Sequence, residues 1–200
     1  MFYDTRINDH GLRHDPFKVL IAPRPIGWIS SKSASGVSNL APYSFFNAVA
    51  ADPGLVMFSS DGHKDSVSNI EATGVFACSL VNYDLRDAMN KSSMPVGPDV
   101  NEFELAGITE APCKLIDASY VAESPAALEC RLLEIIPLNK YEGINSNNEM
   151  VLAEVIGIHI QDSFVNDGML DAVQLNQLGR LGYMDYAAIN EVFTLNRPES

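Results

Sequence analysis

The sequence predicts a mainly β protein, an antiparallel barrel with short helices inserted between its strands. Short runs of β-branched and aromatic residues dominate the chain, the segments with a helical apolar period are short, and strands do not alternate with long helices. The chain has 200 residues, 46% of them hydrophobic, which is enough for one sizeable core. We therefore expect a single domain over residues 1–200, with a polar arm at 1–17 and a tail or lid at 162–200.

The individual elements follow from local residue chemistry. Apolar runs bounded by turn residues predict strands at 25–31, 41–49, 55–60, 75–81, 126–138 and 150–161. A helical period over 65–73, with Gly74 after it, predicts a helix closed by a glycine cap. Shorter helices are predicted at 83–93 and 101–107, and residues 139–149 are typical of a hairpin loop.

The net charge excludes two classes of partner. The formal charge is −13 and the sequence pI is about 4.5. Nucleic acids and anionic membrane surfaces both select clustered Lys and Arg, so neither is an expected partner. The first residues have no apolar core of a signal peptide, and no apolar run approaches the length of a membrane span.

Cysteine and histidine usage indicates a reduced, metal-free protein. The three cysteines and four histidines are widely spaced and form no CxxC pair or familiar metal-binding spacing. Reduced core thiols in a cytoplasmic protein are the expectation, with no metal site.

The stretch SSDGHKDS, residues 59–66, has the composition of an anion site. Two hydroxyls end a strand, a glycine turn follows, and Lys64, Asp65 and Ser66 open the predicted helix. Unpaired N–H groups at a helix N-terminus bind anions, and a lysine and hydroxyls reinforce this. The alternative is that Asp65 or Ser66 merely caps the helix.

Two aromatic-rich stretches are further candidates. If residues 39–49 are one strand, aromatic side chains point to both faces, which predicts either a doubly buried strand or a ligand surface beside the core. The stretch GRLGYMDY, residues 179–186, fits either a lid over a pocket or a structural tail. Common nucleophile, metalloprotease and phosphate-loop motifs are absent, as is the GxGxxG signature of a Rossmann dinucleotide site.

In this order, the stretches resemble the flavin reductase-like family of FMN-binding split barrels. The matching pieces are RPIGWISS, NLAPYSFFNAVAADPGLVMFSS, KDSVSNIEATGVFACSLV, LAEVIGIHI and GRLGYMDY, within residues 24–186. The resemblance implies a six-stranded antiparallel split barrel of Greek-key type, a homodimer, and non-covalent FMN near the dimer interface.

The resemblance also implies roles for individual residues. The isoalloxazine would be bordered by Tyr43, Ser44, Phe45 and Phe46, the ring or ribityl region by Ser59 and Ser60, and the phosphate by Lys64, Asp65 and Ser66. Arg24, which stands between two prolines, would serve the flavin site with its guanidinium. The residues expected to cover a transient nicotinamide are Arg180, Tyr183 and Tyr186.

Two functions fit the resemblance. One is an NAD(P)H:flavin oxidoreductase that transfers a hydride from nicotinamide C4 to flavin N5 and supplies a monooxygenase. The other is a non-catalytic FMN electron carrier of flavoredoxin type with an electron-transfer partner. The flavin itself supplies the chemistry, so no catalytic side chain is assigned. His159 lies on a strand that would approach the flavin, although a lone histidine in IGIHI also fits a structural role.

Overall fold

The computed structural model describes residues 1–140 and 142–198. Residue 141 of the predicted hairpin loop and residues 199–200 of the predicted tail lie outside them. The strands are β1 (Arg24–Pro25), β2 (Gly27–Lys32), β3 (Ser38–Tyr43), β4 (Phe46–Ala51), β5 (Gly54–Asp61), β6 (Val75–Leu80), β7 (Glu110–Pro112), β8 (Ser119–Val121), β9 (Ala126–Pro137), β10 (Asn148–Ile160), β11 (Val165–Asn166), β12 (Met169–Leu170), β13 (Leu178–Arg180) and β14 (Tyr186–Ala188). The helices are α1 (Phe17–Leu20), α2 (Asp65–Thr73), α3 (Arg86–Lys91), α4 (Glu102–Ala106) and α5 (Ala172–Leu175), with 3-10 turns at Tyr83–Leu85, Leu138–Lys140 and Asp162–Phe164.

The main sheet is antiparallel and curls into an open barrel. Its seven strands lie in the order β3-β2-β6-β9-β10-β5-β4. Only Ser44 and Phe45 connect its two edge strands, β3 and β4. Since consecutive Cα atoms are about 3.8 Å apart, the ends of the two edges lie within about 11 Å of each other. The sheet must therefore bend round on itself, although β3 and β4 do not pair. The predicted antiparallel barrel with inserted helices is confirmed, with seven strands rather than six.

The extra strand comes from a break in the predicted strand over 41–49. The chain leaves β3 after Tyr43 and joins β4 at Phe46, because the two edges cannot be one straight strand. The alternation expected over 39–49 therefore does not run through this segment. The other predicted strands are confirmed within a few residues, as is α2, which Gly74 ends in the left-handed conformation (φ 73°).

Hydrophobic clusters cover both faces of β2. Ile29 belongs to the cluster inside the barrel, which contains Phe58 and Phe76. Its neighbour Trp28 belongs to a second cluster, which includes Phe103 of α4. α3 and α4 thus bury the face of β2 opposite the barrel interior, while α2 packs on the Ile29 side, so nearly the whole strand is buried.

The cysteines are free thiols. Cys78 and Cys130 are buried, as predicted for core thiols, and Cys113 is half-buried. Burial raises the pKa of the Cys78 thiol to about 12.

The outer edge of the sheet is exposed along β4. Every residue of β4 after Phe46 is exposed, and its sequence FNAVAA carries no charge. An unpaired, uncharged edge is a surface that natural proteins usually cover.

β1 joins the hairpin of β13 and β14 beside the main sheet. β1, β13 and β14 form a small separate sheet in which Arg24 pairs with Arg180. Residues 1–16 contain no helix or strand, and α1 follows them. Among the described residues, no helix has the length and apolar character needed to cross a membrane.

Candidate functional site

A cavity of about 550 Å³ opens where the end of β3, the start of α2 and the loop after α3 meet. Four predicted FMN-binding residues line it together: Tyr43, Lys64, Asp65 and Ser66. The break after β3 and the turn before α2 bring these residues to the same edge of the barrel. The structure therefore unites the predicted phosphate end with the beginning of the predicted aromatic segment.

The N-terminus of α2 has no side-chain cap. Lys64 is the N-cap residue, with an extended backbone (φ −86°, ψ 172°) and no capping hydrogen bond from its side chain. Asp65 and Ser66 lie inside the helix, so the alternative that one of them caps it is wrong. First-turn N–H groups have no carbonyl partner within a helix, and the helix dipole adds partial positive charge there. With Lys64 beside it, this end of the cavity suits an anion.

A buried carboxyl group lies at the inner side of the same cavity. Glu102 accepts hydrogen bonds from Leu40 N at 3.0 Å and from Asn39 Nδ2 at 3.1 Å. Burial raises the pKa of the Glu102 carboxyl, and the charge of Asp65 adds a smaller effect in the same direction. The Ser66 hydroxyl donates to Asn39 Oδ1 at 2.8 Å, so this predicted phosphate ligand points into the protein.

The predicted serines of β5 have structural partners. The Ser60 hydroxyl is fully buried and donates to the carbonyl oxygen of Gly62 at 2.8 Å. The Ser59 hydroxyl accepts from Asn148 Nδ2 at 3.2 Å. Neither serine lines the cavity beside α2. Burial raises the pKa of Tyr43, while the neighbouring hydroxyls of Ser66 and Ser60 lower it by smaller amounts.

A second cavity of about 340 Å³ adjoins the first, and Pro42 and Ser93 line both. We call these two adjoining cavities the groove. The second cavity brings five further predicted residues together at the other end of the groove, namely Arg24, Ser44, Arg180, Tyr183 and Tyr186. Phe45, Phe46, Ser59 and Ser60 line neither cavity. Residues distant in sequence thus line one continuous depression.

Arg24 links the α1 segment to the hairpin between β13 and β14. Its side chain is buried, and Nη1 donates to the carbonyl oxygens of Lys18 at 2.5 Å and Ile21 at 2.7 Å. Nη2 donates to the carbonyl oxygen of Leu181 at 2.7 Å, while Nε is buried without a hydrogen-bond partner among the described residues. Burial lowers the pKa of Arg24, and the charge of Arg180 adds to this. The guanidinium is thus largely occupied by backbone carbonyls, and its predicted contact with the flavin stays a prediction.

The hairpin between β13 and β14 carries the three predicted lid residues. The Arg180 guanidinium lies over the ring of Tyr186, with Cζ 4.3 Å from the ring centroid. Nη2 of Arg180 donates to the carbonyl oxygen of Tyr183 at 2.6 Å, and Tyr183 has a left-handed backbone with φ 55°. A Cβ at Gly182 would lie 2.1 Å from a Val19 methyl, so α1 packs closely against this hairpin.

The two phenylalanines of the connection have different environments. Phe45 is half-buried beneath two cations, with Lys18 Nζ 5.9 Å and Arg24 Cζ 5.8 Å from its ring centroid. Phe46 packs against the barrel core and lies over Gly27, where an added Cβ would be 2.6 Å from its ring. Phe46 is therefore a packing residue, while Phe45 stays close to the groove.

The sequence reasoning missed the loop that follows α3. Ser93 lines both cavities of the groove, and Ser92 lines the one beside α2. The buried Ser92 hydroxyl accepts from Trp28 Nε1 at 2.9 Å and donates to the carbonyl oxygen of Met89 at 2.8 Å. The signal in the sequence was the serine pair in KSSMP after a predicted helix, but only tertiary packing shows that it faces the groove.

The open antiparallel barrel with inserted helices has the split-barrel fold of flavin reductases. More specifically, this chain belongs to the flavin reductase-like domain family, whose sequence profile matches residues 20–175. An uncharacterized protein of Halalkalibacterium halodurans is 34% identical over 194 residues, which cover 93% of this chain and 92% of that protein.

Solved structures share the fold over nearly their whole length. Nitrilotriacetate monooxygenase component B from Bacillus cereus is 30% identical, with a TM-score of 0.84 over 94% of this chain and 96% of that chain. Flavoredoxin of Desulfovibrio vulgaris (Miyazaki F) is 18% identical, with a TM-score of 0.78 over 94% of this chain and 96% of that chain. At that identity the flavoredoxin shows likeness of fold alone.

Proposed function

We propose that this chain binds FMN non-covalently in the groove and reduces it with NADH or NADPH. The observation that carries the proposal is the uncapped N-terminus of α2 with Lys64 beside it, at one end of a groove in a member of this family. A flavin would bring the redox chemistry, and the protein would bind it, orient it and limit its access to water.

In the cavity beside α2, only the end next to Lys64 suits a phosphate, because the Glu102 carboxyl group lies elsewhere along its wall. Lys64 is the one cation among the described residues that line this cavity, and Asp65 and Glu102 carry carboxyl groups there. Glu102 lies inward, and its oxygens already accept protein donors. A phosphate is therefore best placed against the first-turn N–H groups and Lys64, away from Glu102. Ser66 would support this position through its backbone rather than its hydroxyl.

The opposite end of the groove fits a flat heterocycle and a dinucleotide. Ser44 and Pro42 lie at the break between β3 and β4, and the hairpin with Arg180, Tyr183 and Tyr186 lies across from them. Aromatic rings can stack on a flat heterocycle, and a guanidinium binds phosphate oxygens in a bidentate manner. In this arrangement Arg180 would hold the pyrophosphate of NADH or NADPH while the nicotinamide lies against the flavin.

We further propose that the chain works as a homodimer. The exposed, uncharged edge strand β4 begins directly beside the groove, so a second copy that covered it would also help to enclose the ligand. Light scattering should give twice the mass of one chain at micromolar concentration. A stable FMN-binding monomer would contradict this part of the proposal.

FMN binding is tested by comparing two flavins. We expect Lys64→Ala to weaken FMN by about 10- to 100-fold, because a charge-assisted contact to the phosphate is lost. Riboflavin, which has no phosphate, should bind equally well to both proteins. Lys91→Ala is the matched control, since Lys91 lies at the end of α3 outside the groove. Equal losses for FMN and riboflavin would reject the phosphate position.

Catalysis is tested by anaerobic mixing of the FMN-loaded protein with NADH, NADPH or dithionite. Rapid bleaching with a nicotinamide supports the oxidoreductase, which would serve an acceptor such as a monooxygenase. Bleaching with dithionite alone supports the second candidate, an electron carrier. In the oxidoreductase, Arg180→Ala should raise the apparent KM for the nicotinamide while FMN affinity stays nearly unchanged.

A further inference from the structure

Three side chains of metal-binding type meet on the barrel away from the groove. Cys113 follows β7, Glu129 lies on β9 and His159 lies on β10. The thiol sulfur, a carboxylate oxygen and a ring nitrogen of these residues all lie within 4.8 Å of one another. Their spacing in the sequence is not that of a known metal motif, which is why no metal was expected. The antiparallel pairing of β9 with β10 brings Glu129 and His159 together.

The surrounding structure holds two of these side chains firmly in place. Glu129 is 1% exposed, and its carboxylate accepts hydrogen bonds from Lys114 N at 2.6 Å and Leu115 N at 2.7 Å. His159 Nε2 lies 2.5 Å from Glu129 Oε1, and its ring stacks on Tyr120 at 4.2 Å between centroids. Fixed outer partners of this kind orient the ligands of protein metal sites.

The cluster is reachable from solvent. A cavity of about 510 Å³, which we call the Glu129 cavity, is lined by Glu129, His159, Lys114, Tyr120 and further residues of β9 and β10. It shares no lining residue with the groove. An ion could therefore enter beside His159 without passing the proposed flavin site.

We propose that Cys113, Glu129 and His159 bind one divalent transition-metal ion of the zinc type, with a fourth position open to the Glu129 cavity. Zinc combines sulfur, nitrogen and oxygen ligands in this way, and an open position is typical of sites with three protein ligands. These three ligands also balance charge. The Glu129 carboxylate and the Cys113 thiolate together neutralise a divalent cation, and an unbalanced charge in a buried site would be costly.

Binding requires a small rearrangement and a defined movement of protons. Ligand atoms around tetrahedral zinc are about 3.3–3.8 Å apart, so the close contact between His159 and Glu129 must open by about 1 Å. The Cys113 thiol loses its proton to solvent as the metal–sulfur bond forms. His159 binds through Nε2, and its remaining proton resides on Nδ1. No change of oxidation state is involved.

Titration with Zn²⁺ and Co²⁺ tests the site directly. One ion should bind per chain, and Co²⁺ should give intense d–d bands at wavelengths beyond the flavin absorption, as expected for a tetrahedral site with a thiolate. Cys113→Ser and His159→Gln should each weaken binding by more than about 100-fold, since loss of even an outer partner costs 10- to 100-fold. His63→Gln is the matched control, because His63 pairs with Glu149 at 2.8 Å on the surface, in a cluster without a thiol.

Zinc X-ray absorption of the unmutated protein keeps the test independent of how the variants fold. The expected spectrum has one sulfur neighbour at about 2.3 Å and nitrogen or oxygen neighbours at about 2.0–2.1 Å. A spectrum without sulfur overturns the proposal, as does Cys113→Ser protein that binds Zn²⁺ as tightly as the unmutated chain. Binding that His63→Gln abolishes would also reject it, because the ion would then lie at the surface pair.

Discussion

The groove and the Glu129 cavity each contain one buried glutamate, and the two carboxyl groups have opposite character. Both are nearly inaccessible, Glu102 at 5% and Glu129 at 1% exposure. Burial raises the pKa of Glu102, and its donors, Leu40 N and the amide of Asn39, do not offset this. Glu102 is thus a carboxyl group that favours its neutral form more than a free glutamate does.

At Glu129 the donors prevail over burial. Burial alone would raise the pKa of this carboxyl, but the amide of Lys114, the imidazole of His159 and the amide of Leu115 together lower it. The comparison shows that burial does not by itself decide whether a carboxyl is charged. The number and charge of its donors also matter, so the pKa of Glu129 lies below the ordinary glutamate value while that of Glu102 lies above it.

The largest expected difference between the two sites is in the stability lost when each carboxyl group is removed. Glu129→Ala leaves two backbone N–H groups and an imidazole without their acceptor, and we expect a loss of about 3–5 kcal/mol in the free energy of unfolding. Glu102→Ala leaves two neutral donors, and we expect about 1–3 kcal/mol. Urea unfolding of both variants at equal flavin loading measures the difference. Equal losses of stability in the two variants, or a larger loss in Glu102→Ala, would contradict the proposed difference between the two carboxyl groups.

A smaller difference in stability is expected between substitutions at two glycines, Gly27 near the groove and Gly157 at the Glu129 cavity. A Cβ at Gly27 would lie 2.6 Å from a ring carbon of Phe46, whereas at Gly157 the nearest atom is a Leu115 methyl at 3.2 Å. We expect Gly27→Ala to cost about 1–3 kcal/mol of stability, because a ring packed on the core cannot move aside. Gly157→Ala should cost less, because the end of a leucine side chain can rotate away. Thermal unfolding of both variants provides the check, and a more severe effect at Gly157 would refute it.

The smallest expected effect is a difference in pH dependence. Because the pKa of folded Glu129 is lowered, its contribution to stability is present above the unfolded pKa and is lost as the pH falls through the folded value. Because the pKa of folded Glu102 is raised, stability decreases as the pH rises from the unfolded to the folded value. The cost of Glu129→Gln should therefore shrink as the pH falls below the ordinary glutamate pKa of 4.5, while that of Glu102→Gln should grow as the pH falls from about 7 towards that value. Unfolding curves across this range measure both, and parallel trends would contradict the assignment.

Local sequence patterns predicted most of the fold and several residues that line the groove. The strands and α2 followed from apolar period and from Gly74, since these depend on neighbouring residues. The break between Tyr43 and Phe46 could not be predicted, because it follows from the closure of the whole sheet. The same holds for Ser66, whose hydroxyl has a tertiary partner, and for the meeting of His159 with a distant thiol.

Arg24 makes the two ends of the chain depend on each other. Its guanidinium bonds to carbonyl oxygens before it in the chain and to that of Leu181, 157 residues later. Proteolysis that removed residues up to 21 would take away two of these three acceptors and leave the cation buried with one. The hairpin beside the groove would keep its bond to Arg24 but lose the packing of Val19 against Gly182, although its own sequence was intact. Loss of residues 18–21 would therefore alter the surroundings of a hairpin near the other end of the polypeptide.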